Sequence, residues 1–382
     1  MRAEAKGSIV KFRFFSLFCL FLFFPGFSSF AQQGNSRPWW YTLEQGKFYF
    51  RGGEYGNALL SFEDARRQRR AMYERMEKDF IDFLSMSEVR RLGDSLERVE
   101  AYAAERLYAN VSAALAELYG RVPRESLSNS AAAALSALGA LKDYPEAEYW
   151  IGETYRTEGE LGLALGQFQK AYEMRGLFEN PDSDLYLLYR IADIRRIRQD
   201  YNEMERTLLL ILARDTLWSE ESGSFAKSAM LRTLENEGVN RFLSLYRYNN
   251  TAVEAAHRLL GFYYYASGRH SRAEEHLMFA FLIQNTIIIE ELIRRDYDYA
   301  FTGLSELSGG ITRNPLLSGY VSETEYYRTA YYLGTSLFGA GKPGPARAFW
   351  AFLAGTGEAG EWQNRARAQL SGPGVDRAIE MP

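Results

Sequence analysis

The chain has little of what supports covalent or metal-based stability. It contains one cysteine, Cys19, and three histidines among 382 residues. Cys19 lies inside an apolar N-terminal run, so a chain that loses this run cannot form disulfides and must be stabilised by packing. Structural zinc sites use closely spaced cysteine and histidine ligands. His270 and His276 do not share a helix face at their spacing, so we interpret them as surface side chains and expect no metal.

Motifs for cofactors or catalysis are also scarce. The sequence has no phosphate-loop, HExxH or GxSxG pattern. Residues 355–360 match GxGxxG, but a dinucleotide site needs a strand before the glycines and a helix that opens at them. The residues before this stretch have a helical pattern, so we expect no cofactor and no enzymatic activity. A helical glycan-processing enzyme stays open as a remote alternative, because carboxylates are abundant although no pair is marked out.

The charge balance argues against nucleic acid as a partner. The chain carries 45 Lys and Arg against 49 Asp and Glu, a net charge of −4. Nucleic-acid-binding domains usually carry a basic patch or stripe. The one basic run, at 66–70, is flanked by acidic residues, which favours a solvated helix face.

The N-terminus has the pattern of a secretory signal peptide. Four basic residues precede an apolar run at 14–24, and Pro25-Gly26 and Ser29-Phe30-Ala31 follow it. Small residues at these positions predict cleavage after Ala31. Eleven apolar residues are too few for a membrane span of about 20. We therefore predict a signal peptide over 1–31 and an exported, periplasmic mature chain without a membrane span; the alternative is anchoring by an uncleaved N-terminal segment.

Small residues recur at one fixed spacing. Residues 252–281 have the pattern of two helices joined at Gly268, with Gly261 inside the first and Ala273 on the second. A helical glycine costs about 1 kcal/mol relative to alanine, which a close helix–helix contact can offset. The same glycine and alanine positions recur as Gly46 and Ala58, Gly152 and Ala164, and Gly334 and Ala346. A degenerate copy has Ala192 and Gln199 at the two glycine positions.

This spacing resembles the tetratricopeptide repeat (TPR), a helix–turn–helix unit of about 34 residues. The resemblance implies an all-α fold, a TPR-like right-handed helical solenoid with inserted non-repeat helices. We expect an N-terminal TPR-like region over 32–215, a C-terminal one over 216–370 and a disordered tail over 371–382.

Between the repeats, the pattern predicts further helices and loops. An apolar stripe after a capping box predicts a helix over 85–103. Polar or glycine-rich composition predicts loops over 216–223 and 308–322. Further helices are predicted over 286–307 and, as a cap on the open end of the stack, over 361–370.

In the TPR family, the first helix of each repeat lines a concave groove that takes peptides or partner helices. Carried over by spacing, the groove positions are Tyr149, Glu153, Arg156, Tyr189, Asp193, Arg196, Arg258, Phe262, Tyr265, Tyr331, Thr335 and Phe338. Aromatic and arginine side chains at these positions are typical of protein-binding surfaces. The alternative is that flanking helices fill the groove and these side chains pack in the interior.

Taken together, these features favour an exported, non-enzymatic scaffold for protein–protein interactions in an envelope complex. The Phe-rich signal, the Tyr-rich repeats and segments such as 247–248 and 281–284 resemble spirochaete periplasmic TPR proteins of the flagellar collar. That resemblance implies partners among envelope or flagellar-motor components. A periplasmic peptide-binding or protein-binding TPR adaptor is the main alternative.

Overall fold

The computed structural model describes residues 38–84, 129–219 and 221–379. Within these ranges every regular element is a helix, which confirms the all-α prediction. The signal peptide predicted over 1–31 and the helix predicted over 85–103 lie outside the described residues and stay predictions.

The chain divides into two compact units, and the boundary lies between Asp143 and Tyr144. The region boundary predicted at 215/216 therefore falls inside the second unit. Each unit is described separately below.

The described part of unit 1 contains a helical hairpin and one further helix. The helices are α1 (Trp39–Arg51), α2 (Tyr55–Leu84) and α3 (Asn129–Leu141). Gly53 joins α1 to α2 with a φ of +77°, a left-handed conformation that glycine adopts without steric cost. A Cβ atom on Gly46 would lie 2.5 Å from the Phe62 ring, so α1 and α2 pack closely.

The basic run at 66–70 in α2 differs from the expected solvated face at Arg69. This side chain is buried, and its Nε atom donates a hydrogen bond to the Leu141 carbonyl oxygen at 2.9 Å. Its guanidinium also lies 4.8 Å from the centre of the Trp39 ring. Arg69 therefore links α1, α2 and the end of α3.

Unit 2 begins with two hairpins and three connecting helices. These are α4 (Pro145–Thr157), α5 (Leu161–Glu173), α6 (Ser183–Ile197), α7 (Tyr201–Leu212), α8 (Thr216–Ser219), α9 (Glu221–Asn236) and α10 (Val239–Leu245). It continues with α11 (Thr251–Ala266), α12 (His270–Arg295), α13 (Leu304–Thr312), α14 (Pro315–Glu323), α15 (Tyr326–Gly339), α16 (Pro343–Ala354) and α17 (Glu361–Ser371).

Four hairpins of unit 2 follow the predicted repeats: α4–α5, α6–α7, α11–α12 and α15–α16. The predicted turn glycines Gly159, Gly268 and Gly341 have φ values of +85°, +73° and +84°. Gln199 adopts the same left-handed conformation, with a φ of +60°, in the degenerate copy. The four turns thus share one backbone geometry, even where glycine is missing.

The predicted small residues lie where the two helices of each hairpin meet. A Cβ atom on Gly152 would lie 2.6 Å from the Phe168 ring, and one on Gly261 would lie 2.5 Å from Leu277. At Gly334 the nearest atom, on Phe349, would be 3.0 Å away. The predicted alanines are all fully buried: Ala58, Ala164, Ala273 and Ala346. Close helix contact explains why glycine is tolerated inside these helices.

Successive hairpins of unit 2 pack on one another in chain order. The second helix of each contacts the first helix of the next, as in α5 on α6, α7 on α11 and α12 on α15. The last helix, α17, packs on α16. The inserted helices lie beside this series, since α9 contacts α12 and α16, and α13 and α14 contact α12.

Three predictions between the repeats were wrong. The helix predicted over 286–307 is not separate, because α12 runs without a break from His270 to Arg295. Helices α13 and α14 occupy the loop predicted over 308–322, and α8 and α9 occupy most of the loop predicted over 216–223.

Helix α12 is the central core element of unit 2. Within the described residues it is also the one helix long and apolar enough to cross a membrane. However, 78% of its most apolar window is buried inside the protein, which is typical of a core helix. Its side chains from Leu277 to Thr286 are buried on every face, so no amphipathic stripe marks them.

The expected surface position of His276 was wrong. His257 and His276 are both buried, with their Nδ1 atoms 3.1 Å apart. The Trp218 ring lies 4.9 Å from the ring of His257 and 4.5 Å from that of His276. Burial lowers the pKa of both histidines, that of His276 to about 3, and the positive charge of Lys227 acts in the same direction. Both rings are therefore neutral in the folded protein at neutral pH.

Candidate protein-binding surface

The first helices of the first two hairpins of unit 2 form a charged surface. We call it the α4–α6 surface and define it by Tyr149, Glu153, Arg156, Arg190, Asp193 and Arg196. At its centre the Glu153 carboxylate is buried and accepts from Arg156 Nη2 at 3.0 Å. Arg190 Nε lies 2.9 Å from the other oxygen of this carboxylate. Two guanidinium groups thus balance one buried charge and connect α4 to α6.

Burial and neighbouring charges shift the pKa of two side chains on this surface, Tyr149 and Arg190. Burial raises the pKa of Tyr149, and the Glu153 carboxylate raises it further. Burial works to lower the pKa of Arg190, but Glu153 and Tyr149 outweigh it and the pKa is raised. Asp193 and Arg196, one helical turn along α6, pair at 2.7 Å. The side chains of Arg156, Arg190 and Arg196 are between 27% and 41% exposed to solvent.

Tyr189, a predicted groove residue, has a structural task. Its hydroxyl donates to the Ala252 carbonyl oxygen at 2.7 Å and accepts from the Ala256 amide at 3.2 Å. Both partners lie in the first two turns of α11. Burial raises the pKa of Tyr189. The side chain therefore ties α6 to the start of α11 and is not available to a partner.

Arg258, on α11, belongs to a buried polar network. Its guanidinium contacts Glu254 Oε1 at 3.1 Å and also bonds Glu325. Gln284 Nε2 donates to the same Glu254 oxygen at 2.7 Å. Burial raises the pKa of Glu254 despite the opposing charge of Arg258. This network links α11, α12 and the residue that precedes α15.

The remaining predicted groove positions are filled. Phe262, Tyr265, Tyr331 and Thr335 are all buried, and Phe338 packs half-buried with its ring 5.7 Å from that of Trp350. The predicted groove thus has two parts. Its α4–α6 part is half-exposed, whereas its α11–α15 part is interior.

The side chain of Tyr332 lies at the centre of the filled part. Its ring centre is 5.7 Å from that of Phe262 and 4.9 Å from that of Tyr265. Trp362, from α17, covers the same ring at 5.7 Å. The Arg328 guanidinium lies 4.5 Å from the centre of the Phe262 ring. Aromatic and cation–π contacts of this kind stabilise a closed interior.

Described residues 373–379 also cover the α11–α15 part. They form no helix or strand, and within them the Ala378 amide donates to Asp376 Oδ1 at 2.9 Å. Tyr265 donates to the Asp376 carbonyl oxygen at 2.7 Å, and Tyr331 donates to the Asp376 carboxylate at 2.7 Å. Beside the tail lies an open cleft of about 980 Å³, bordered by α13, α14, α15 and α17.

The described residues bring together no set of candidate metal ligands. They contain no group of three or more His, Cys, Asp or Glu side chains placed to hold a metal ion. Residues 355–360, the GxGxxG match, connect α16 to α17 and have no preceding strand in the described ranges. The histidine pair is enclosed by aromatic rings. What the half-exposed part offers is a fixed array of charges beside an aromatic ring, which suits contact with another protein.

Sequence reasoning missed Arg190, Tyr332 and Arg365. Arg190 follows the predicted Tyr189, and Tyr332 follows the predicted Tyr331. The groove positions predicted from the repeat spacing are therefore one residue away from both. A weak signal existed for Arg190, because an arginine one position after a groove tyrosine can reach a carboxylate on the preceding helix. Arg365, on α17, donates to the Ala378 carbonyl oxygen of the tail. No pattern pointed to it, because the sequence indicates only a capping helix there.

Comparisons with known proteins assign no function. No protein-family model matches the chain. The chain is similar to a protein of Treponema pallidum (strain Nichols) that carries only the name "Uncharacterized protein". The two are 25% identical over 334 residues, which make up 87% of this chain and 89% of the other. The similarity therefore extends over most of both chains.

Proposed function

We propose that this chain is an exported, non-enzymatic TPR-like scaffold that binds other proteins in the cell envelope. The observation that carries the proposal is the repeated hairpin, which closes on a helical glycine and stacks on the next hairpin through its second helix. Stacking of this kind supports a right-handed solenoid of the TPR type. Proteins of that type present the first helices of their repeats to partners.

The α4–α6 surface is the proposed contact for a partner. Its arginine and tyrosine side chains are of the types that dominate binding energy in protein interfaces. Glu153 holds Arg156 and Arg190 in place through short contacts, so little side-chain entropy is lost when a partner binds. The two arginines favour a partner segment with acidic or carbonyl groups at the point of contact.

The proposed location is the periplasm, reached through the predicted signal peptide over 1–31. The resemblance of the signal and the repeats to periplasmic flagellar collar proteins supports the same compartment. The proposed partners are thus envelope components, with the flagellar motor as the specific candidate.

A periplasmic adaptor for peptides is the second candidate, and the half-exposed α4–α6 surface favours it. The scaffold is preferred because the α11–α15 part of the predicted groove is filled. The inserted helices α8 to α10 and α13 to α14 add outer surface to unit 2 without extending the groove. Outer surface of this kind suits stable assembly with several neighbours.

The test is capture of partners from the native envelope, followed by mass spectrometry. A chain with Arg156→Gln and Arg196→Gln should lose partners that the unchanged chain recovers, because both substitutions remove charge from the α4–α6 surface. The matched control is Arg206→Gln on α7, which removes an arginine that is 74% exposed on a second helix. The control should recover the same partners as the unchanged chain.

Two results would contradict this proposal. One is equal recovery of envelope proteins by the double variant and the control, with both folded by circular dichroism. The other is recovery of soluble periplasmic peptides alone, which would favour the adaptor.

A further inference from the structure

The described part of the C-terminal tail lies against α11, α15 and α17 without forming a helix or strand. We call residues 373–379 the tail segment. Tyr265, on α11, donates to the backbone carbonyl of Asp376, and Tyr331, on α15, donates to its carboxylate, both at 2.7 Å. The Asp376 carboxylate also lies 3.8 Å from Arg365 on α17. One aspartate is thus held by three helices.

Three more contacts extend the seat on both sides of this aspartate. Arg365 Nη2 donates to the Ala378 carbonyl oxygen at 3.3 Å, and Tyr332 donates to the same oxygen at 3.4 Å. On the other side the Gly374 amide donates to Gln369 Oε1 at 2.8 Å. We call Tyr265, Tyr331, Tyr332, Arg365 and Gln369 the tail seat.

The seat recognises main-chain groups and one carboxylate. Tyr265, Tyr332 and Gln369 bond to main-chain atoms, which any extended peptide carries. Tyr331 and the Arg365–Asp376 contact add a requirement for an acidic side chain. The small Ala378 and the partly buried Ile379 follow two and three positions later, and Ile379 packs against the apolar core. The recognised pattern is therefore an aspartate and, three positions later, an aliphatic residue.

The tail segment buries little apolar surface compared with the helices below it. Val375, Arg377 and Ala378 are exposed, and the segment forms no helix or strand. It joins α17 through Gly372-Pro373-Gly374, a connection poor in side chains that could pack. Polar contacts near the surface each contribute about 1 kcal/mol. A segment with so little apolar burial can leave its seat without unfolding the helices below it.

The described tail segment, 373–379, does not fill the space beside its seat. Ala378 and Ile379 form one edge of the cleft of about 980 Å³, and Trp362 and Arg365 border it from α17. A longer extended segment could follow the tail's path and continue into this cleft. A partner would then make contacts that the tail does not make.

From these contacts we infer that the tail seat is a second protein-binding site, which the chain's own tail occupies until a partner displaces it. The partner is a segment of another protein with the same pattern, an aspartate and, three positions later, an aliphatic residue. This inference deepens the proposed function and rests on it. It adds a regulated site on α11, α15 and α17 to the α4–α6 surface.

The tail competes with a free peptide through its high local concentration. Segments joined by short flexible linkers have effective concentrations on the order of millimolar. A peptide in the micromolar range must overcome this competition. Weakening the chain's own tail should therefore improve binding of an added peptide about tenfold or more.

The experiment uses the full chain and a synthetic peptide of residues 371–382 with a fluorophore at its N-terminus. Binding is measured by fluorescence anisotropy to the unchanged chain, to Asp376→Ala and to Arg377→Ala. The Asp376→Ala chain should bind the peptide about tenfold more tightly than the other two, because its tail has lost its carboxylate. Arg377→Ala is the matched control, since Arg377 is exposed in the tail segment.

Two further comparisons test recognition at the seat itself. A peptide that carries alanine in place of its aspartate should bind the Asp376→Ala chain about tenfold less tightly than the unchanged peptide does. Adding Tyr331→Phe to that chain removes one hydroxyl from the seat and should weaken binding of the unchanged peptide by several-fold.

Equal binding of the peptide by all three chains would overturn the inference. So would equal binding of the two peptides, because the seat would then not recognise the carboxylate. Partner capture through the α4–α6 surface bears on the proposed function alone. If capture succeeds and the peptide experiment fails, only this inference falls.

Discussion

Replacing Gly152 by alanine tests whether close helix contact holds the hairpins together. The new Cβ atom would lie 2.6 Å from the Phe168 ring, whereas ordinary contacts of such atoms lie at 3.4–4 Å. Phe168 is fully buried, so its ring cannot move away freely. Overpacking of this kind costs about 1–3 kcal/mol. Alanine also stabilises a helix by about 1 kcal/mol relative to glycine, which offsets part of the cost.

Gly166 provides a matched control in the same hairpin. It lies inside α5, and a Cβ atom there would meet nothing within 4 Å. Gly166→Ala should therefore raise the free energy of unfolding by up to about 1 kcal/mol. The helix term is common to both variants, so the difference between them isolates the packing cost of about 1–3 kcal/mol at Gly152.

The assay is urea denaturation followed by circular dichroism. A double variant adds a check, because Phe168→Leu makes room for the new atom. Gly152→Ala should therefore cost less in the Phe168→Leu background than alone, with a coupling energy above about 0.5 kcal/mol. If Gly152→Ala stabilises the chain as much as Gly166→Ala does, the helices do not meet at this glycine and the reasoning fails.

Three further predictions follow. Burial lowers the pKa of His257 and His276, so below about pH 6.5 the unfolded chain binds more protons than the folded chain. The free energy of unfolding should therefore fall by about 2 kcal/mol per histidine between neutral pH and about pH 5. Urea denaturation at neutral pH and at about pH 5 checks this, and an unchanged midpoint would contradict it. Lys342→Met should lower the free energy of unfolding by about 2 kcal/mol at neutral pH, because the buried Glu274 loses its cation. The loss should shrink at acid pH, because the raised pKa of Glu274 allows its carboxylate to be protonated. A loss that does not depend on pH would refute this cause. Gln199→Gly should raise the melting temperature, since it relieves a left-handed backbone that costs about 1 kcal/mol; a lower melting temperature would contradict that.

The repeats were predictable because their constraint is local. A helical glycine, a turn glycine and an alanine at fixed spacing reflect contacts within one hairpin. The degenerate copy was also found, although Gln199 replaces the turn glycine, because the spacing alone marks the position. These contacts, for example Gly261 against Leu277, involve residues about one helix apart in the chain.

The elements that sequence reasoning missed depend on distant contacts. Helix α12 is buried on every face, so its central part lacks the stripe that marks an amphipathic helix. Gly309 and Gly310 suggested a loop, but Gly310 lies in α13, where a Cβ atom would be 2.9 Å from Leu292 of α12. Tertiary packing thus overrode the low helix propensity of glycine.

The candidate site also has a part that local spacing predicts and a part that depends on distant contacts. Its register was predictable on α4 and α6, where Glu153 and Arg156 lie on the expected face. The filling of its α11–α15 part was not, because it depends on Tyr332, on α17 and on the tail. Asp376 lies 111 residues from Tyr265 in the chain, and no short-range pattern connects them.

The most direct test of the central claim is photo-crosslinking in living cells, with a photoreactive amino acid placed at Arg156 or at Arg206. Arg156, on the α4–α6 surface, has a side chain only 27% exposed, whereas that of Arg206 on α7 is 74% exposed. Random collisions would therefore favour position 206. A binding surface on the first helices predicts a discrete adduct with an envelope protein at position 156 and none at position 206. Adducts that simply follow exposure, or none at position 156, would contradict the account.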